Sequence, residues 1–172
     1  MMAAVIVIVV LVTASRAGAA DDASRHVRAL DGRIEALIEE RARRSPLFRS
    51  LLEVIERSTV IVYVESRMLP AGLGGRLTFA GAGPPWRYLR IGIECRQSRD
   101  EQIAALGHEL QHAVEIADDS ATLDPRSIQA LYGRIGFAVD YGRRRFESEA
   151  ARNAGARVRR DLSSRGVEVS RR

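Results

Sequence analysis

The sequence predicts an α+β fold, a small three-stranded sheet packed with one long helix and several amphipathic helices. Two observations carry this. Three stretches between residues 59 and 93 are rich in β-branched and aromatic residues and are separated by glycine- and proline-containing loops. Before and after them, apolar residues recur three and four apart, the spacing that gives a helix one buried face. Composition agrees: 172 residues, 46% hydrophobic and 28% charged, describe one globular domain with a real core rather than a disordered chain.

The elements follow in order. Residues 3–14, AAVIVIVVLVTA, form an apolar run shorter than a membrane-spanning helix usually needs, and Ala17-Gly18-Ala19-Ala20 follows it. Together they predict a signal peptide over 1–20 and an exported protein, periplasmic or secreted. Left uncleaved, the same segment is a membrane anchor; cleaved, it leaves no membrane span. The domain is expected over 21–162. From Ala23 to about Arg44, Val27, Leu30, Ile34, Leu37 and Ile38 predict a first helix, with His26 at the surface near its start. Ser45-Pro46 restarts a helix to about Arg57, because serine caps and proline suits the first turn. Strands are predicted over 59–65, 76–80 and 86–93, and Cys95 is expected as a buried thiol at the end of the third. Ser98 then opens the long helix, with Glu101 at the capping-box position and Ile103, Leu106, Leu110 and Val114 along its apolar stripe. Pro125 begins another helix to Ile135, and a last one is predicted from Arg144 to about Leu162. A polar, arginine-rich tail, 163–172, is expected to be loose.

Charge and cysteine content exclude several classes. All 27 basic residues other than histidine are arginines, giving a formal charge of +5. They are spread along the chain and aromatic residues are only 5%, so no nucleic-acid partner is expected. One cysteine excludes an internal disulfide and a cysteine-rich zinc framework. The glycine-rich loops carry no phosphate-binding pattern.

The chemistry lies in the long helix, which contains His108-Glu109-Leu110-Gln111-His112, the pattern H-E-x-x-H. Histidines four apart share one helix face and can offer two imidazole nitrogens to one metal ion. Glu109 sits one step round the helix, in reach of a metal-bound water but not placed as a third ligand; this is the arrangement of zinc metallopeptidases. A catalytic zinc needs a third protein ligand. No histidine follows His112, so a carboxylate further along is expected, and Phe146-Glu147-Ser148-Glu149-Ala150-Ala151-Arg152 is the best stretch. On a helix Glu147 and Glu149 lie about 200° apart and cannot both face the metal.

H-E-x-x-H followed by F-E-x-x-A resembles the gluzincin zinc peptidases, closest to the prenyl-protein-processing and bacterial stress-response group. The resemblance covers residues 103–155 and none of those relatives' membrane helices. It implies a zincin-like fold, Zn2+ bound by His108, His112 and Glu147, Glu109 as general base, and a peptide or protein substrate. Glu149 is the rival third ligand. The family's aspartate, which supports a ligand histidine, falls on Ala151; Asp140 and Glu115 are the alternatives for that role. Tyr132, Tyr141 or an arginine of 143–145 is expected to steady the developing oxyanion. Small residues Ala150, Ala151, Ala154 and Gly155 are expected to let the last helix pack closely on the long one. The competing expectation is a catalytically inactive, zinc-stabilised binding protein, which Glu109 argues against and Ala151 leaves open.

Overall fold

The computed structural model describes residues 25–139 and 145–169, the segment 162–169 as backbone only. The expectations for 1–20, Asp140, Tyr141 and arginines 143 and 144 fall outside those residues. The described residues form five helices and six strands, in the order β1 (Val27–Ala29), α1 (Gly32–Arg44), α2 (Pro46–Glu56), β2 (Val60–Arg67), β3 (Gly75–Gly83), β4 (Trp86–Glu94), α3 (Arg99–Asp118), α4 (Pro125–Ile135), β5 (Gly136–Ala138), β6 (Phe146–Ser148) and α5 (Glu149–Val169). The α+β class is as expected.

The main sheet has four strands, not three, in the order β1-β2-β4-β3. β1, β2 and β4 are parallel, while β3 runs antiparallel to β4 and forms one edge. Alternation sets the two faces. Val60, Val62 and Val64 on β2 and Leu89, Ile91 and Ile93 on β4 join Leu37, Phe48, Ile55, Leu106 and Leu110 in one core. Tyr63, Glu65, Thr78 and Arg90 occupy the opposite, more exposed face. The result is a two-layer domain with its helices against one side of the sheet.

The extra strand corrects the reading of Ala23–Arg44 as one helix. Val27–Ala29 pairs in parallel with Val62–Val64, and α1 begins only at Gly32. Asp31 enforces the break: its carboxylate accepts from the Ile34 N–H as helix cap and from the Ser66 N–H on β2. The three- and four-residue spacing of Val27, Leu30 and Ile34 is coincidental, since Leu30 is 50% exposed while Val27 and Ile34 are buried. His26 is likewise not a simple surface residue. It is half-buried, its Nδ1 is 3.0 Å from the Ile55 carbonyl, and its ring meets Trp86 edge-on. Cys95 is half-buried rather than buried.

α3 is the longest element whose two ends are both fixed. At its start Ser98 and Glu101 form the expected capping box. At its end, the last carbonyls of a helix lack intrahelical donors, and Arg87 of β4 supplies them. Its guanidinium donates to the carbonyls of Ile116 at 2.6 Å, Asp119 at 2.7 Å and Ala117 at 3.2 Å, and to Thr59 Oγ1. Arg87 is 4% exposed, so this cation is buried against the negative end of the helix dipole. α5 packs antiparallel across α3 through Ala151, Ala154, Gly155 and Val158; Ala150, expected in that contact, is exposed. A Cβ on Gly155 would lie 3.1 Å from the Ala104 carbonyl oxygen and 3.2 Å from His108 Cβ, which is why the helices approach so closely here. The backbone of α5 continues to Val169, past the expected end near Leu162. Among the described residues no helix is long and apolar enough to cross a membrane.

Candidate metal centre

His108 and His112 stand one turn apart on α3 and turn their rings toward Glu147. His108 Nε2 is 3.4 Å, and His112 Nε2 3.6 Å, from Glu147 Oε1. One ligand atom from each of the three residues lies within 4.8 Å of the others, so the group can hold a metal ion. The donor set fits: two neutral imidazoles and a carboxylate suit a borderline divalent cation and leave coordination positions open.

Glu147 reaches the site from a strand, which corrects the placement of F-E-x-x-A on a helix. β5 and β6 pair antiparallel with Phe137 opposite Glu147, and α5 begins only at Glu149. Glu147 and Glu149 therefore do not share a helix, and helical rotation does not separate them. The choice between carboxylates is made by the turn into α5, which leaves Glu149 exposed outside the cluster while Glu147 points in. Ser148 makes that turn. Its Oγ accepts from the Ala151 N–H, as a helix N-cap does, and donates to Glu115 Oε1. Gly136 permits the strand pair: a Cβ there would fall 2.3 Å from the Glu147 carbonyl oxygen.

Glu115 takes the supporting role that the sequence left open. Its Oε2 is 2.8 Å from His112 Nδ1, one turn along α3. Tyr132 of α4 donates to the same Oε2 at 2.9 Å and lies 2.8 Å from His112 Nδ1. Glu115 engages Nδ1 and so turns His112 Nε2 toward Glu147, where it can ligate a metal once its proton is displaced. Tyr132 is thus behind His112, on the side away from the cluster, and does not serve as the expected oxyanion donor. Ala151 has no carboxylate, yet its backbone hydrogen-bonds His108.

The electrostatics reflect tight coupling. Burial draws His112 down, but hydrogen bonds to Glu115 and Glu147 outweigh it and raise the group to about 9. Burial and the neighbouring His112 lower His108. For Glu147, burial is outweighed by the His112 hydrogen bond and the charge of His108, and its carboxyl is held below its ordinary range. Glu109 behaves oppositely: burial lifts it to about 7, against a smaller lowering by His112 and by the Leu77 backbone N–H. Gly75 of β3 makes room for it, since a Cβ there would stand 2.7 Å from the Glu109 carboxylate.

A cleft of about 760 Å³ opens over these groups, between Gly72–Gly75 on one side and α5 on the other, with His108, Glu109 and Glu147 in its lining. All four principal residues expected from the sequence meet here. Sequence reasoning did not single out Ser148, Gly75 or the Leu77 N–H. Glu115 carried a local signal, lying three residues beyond His112 on one helix; the others carried none. No family model matches the chain, and no curated protein or solved structure matches it either. What stands is an α+β domain with a two-histidine, one-glutamate group able to hold a metal ion.

Proposed function

We propose that the protein is a zinc-dependent metallopeptidase, a minimal relative of the prenyl-protein-processing and bacterial stress-response peptidases. The observation that carries the reading is a buried glutamate, Glu109, beside a group of three potential metal ligands, both opening on one cleft. The antiparallel edge strand β3 beside α3 supports a zincin-like fold, and its outer edge suits an extended peptide laid down as an added strand. The apolar run 3–14 supports export as the setting.

A zinc ion held there would supply Lewis acidity, making water more acidic and a peptide carbonyl more electrophilic. The chain's own groups do the rest. His108, His112 and Glu147 would hold the metal. Glu115 and Tyr132 fix the tautomer and orientation of His112. Glu109 would accept the proton from the attacking water and pass it to the leaving amine, within reach of the same cleft. The Leu77 N–H and the gap above Gly75 hold its carboxylate in place.

Glu109→Gln is the test. The variant is expected to keep stoichiometric zinc while peptide hydrolysis falls by about 10²- to 10⁴-fold. Undiminished hydrolysis in Glu109→Gln overturns the mechanism. A wild-type protein that binds zinc and cleaves no peptide establishes the non-catalytic, zinc-stabilised reading instead.

A further inference from the structure

The strand pair that carries Glu147 also carries an apolar ridge outside the core. In an antiparallel pair, residues directly opposite one another point to the same face. Phe137 is opposite Glu147, and Ala138 is opposite Phe146. The Phe146 face turns inward: its ring stacks on Tyr132 at 5.7 Å, and Ser148, two residues on, is buried against Glu115. Phe137 and Glu147 share the other face. Val139 continues it, its N–H donating to the Arg145 carbonyl at 3.0 Å. From that face Glu147 reaches both histidines, while Phe137 and Val139 remain 45% and 46% exposed and stand outside the core cluster.

Phe137 faces the outer side of α5, where Glu149, Arg152, Asn153 and Ala156 recur three and four residues apart and so share one helix face. Between the ring and the helix lies a groove of about 430 Å³. Arg152 and Ala156 also line the metal cleft, so the groove is a side branch of it. The branch leaves the cleft close to the metal group. Phe137 and Glu147 are paired across the ladder, which puts their Cβ atoms about 5 Å apart. An extended peptide advances about 3.3 Å per residue, so one or two residues cover that distance. In the lining of the branch, Phe137 is the large apolar side chain, Ala156 leaves space beside it, and Glu149 and Arg152 put one charge of each sign at the rim. The branch therefore favours neither sign of charge; what it offers is apolar surface to cover.

We infer that this branch is a side-chain subsite for a large apolar residue of the peptide, aromatic or long aliphatic, within about two residues of the reacting bond, with Phe137 as the specificity-determining residue. This rests on the peptidase reading and adds the substrate class to it. Continuity with the metal cleft commits the groove to the substrate: a peptide held at the metal group lies at the mouth of the branch. The ring touches no reacting atom. It acts by giving an apolar side chain a surface on which both are withdrawn from water, a gain that folding alone leaves unrealised on this half-exposed face.

Zinc-loaded protein is assayed on fluorogenic peptides carrying Phe, Leu, Ala or Gln at each position flanking the scissile bond. At one position Phe and Leu are expected to exceed Ala and Gln by about 10- to 100-fold in kcat/KM. In Phe137→Ala that ratio is expected to fall to within about threefold, and Phe137→Leu, which keeps an apolar side chain, to hold most of it. Ala156→Leu fills the branch from the helix side and is expected to lower the ratio as well. Each ratio is measured within one preparation, so the folded fraction and the zinc content cancel. The same peptides are titrated by fluorescence anisotropy onto zinc-loaded Glu109→Gln, and sedimentation equilibrium of wild type and Phe137→Ala gives the oligomeric state. Cleavage with no apolar preference, or with one that Phe137→Ala leaves intact, overturns this inference and leaves the peptidase reading standing. No cleavage, with Phe137-dependent binding of the apolar peptides, overturns the peptidase reading and keeps this one. Neither cleavage nor Phe137-dependent binding overturns both. A dimer that Phe137→Ala separates assigns the ridge to a second copy of the chain and overturns the subsite.

Discussion

Two regions build the metal group, and they are anchored differently. α3 supplies His108, Glu109 and His112 from a twenty-residue helix capped at both ends, with Ile103, Leu106 and Leu110 wholly buried beneath it. The β5–β6 pair supplies Glu147 from strands of three residues each, and Ile135, Phe137 and Val139 around it are 46%, 45% and 46% exposed. One part of the site stands on the core, and the other is held by a few polar contacts through Ser148, Glu115 and Gly136. Damage to the first should unfold the protein, and damage to the second should cost metal while leaving the domain folded.

The largest effect separates the two carboxylates. Glu147→Ala is expected to lose bound zinc with little change in unfolding temperature of the metal-free protein, whereas Glu149→Ala keeps it; elemental analysis of purified protein decides. His108→Ala is expected to lose zinc as well.

Arg87→Ala attacks the other region. It strips donors from three carbonyls at the end of α3, and unpaired buried carbonyls cost about 1–3 kcal/mol each. A destabilisation of about 3 kcal/mol is expected in urea unfolding of the metal-free protein. A loss below about 0.5 kcal/mol would remove Arg87 from this account.

Next come the contacts joining the regions. Ser148→Ala removes both the cap of α5 and the hydroxyl on Glu115; Glu115→Gln weakens the grip on His112. Each is expected to lower zinc affinity about 10- to 100-fold by competition with a chelating dye, while the protein stays folded. Equal damage to stability and affinity would erase the contrast between the regions.

The smallest effect is a pH dependence of the metal-free protein. His112 is raised from 6.5 to about 9 in the folded state, so its stabilisation is complete below 6.5 and is lost as pH rises toward 9. Glu109 is raised from 4.5 to about 7, so its burial as a charge begins to cost over that lower interval. Both act in the same direction. The unfolding temperature of zinc-free protein should fall between pH 6.5 and pH 9, and zinc binding in that interval should release a proton, read by calorimetry in buffers of different ionisation enthalpy.

Legibility in the sequence followed the range of the interactions. The capping box of α3, its apolar stripe and the shared face of His108 and His112 depend on residues within a turn or two of each other, and all are present as expected. α2, α4 and the strands β2, β3 and β4 were legible for the same reason, through local period and turn residues. β1 was misread because pairing with β2, some thirty-five residues away, overrode a short accidental helical spacing. Glu147 lies beside the two histidines but reaches them from a strand rather than from the expected helix, since nothing local marks a three-residue strand.

By itself the sequence determined that two imidazoles and one carboxylate share a single helix, because 3.6 residues per turn leaves no other arrangement. Only the tertiary structure decided what completes that helix. Glu147 arrives 35 residues beyond His112, Tyr132 reaches His112 across 20 residues and Ser148 reaches Glu115 across 33. Such contacts form only once α3, α5 and the β5–β6 pair have packed, when close approach at Gly136 and Gly155 aims side chains that the chain's local geometry leaves undirected.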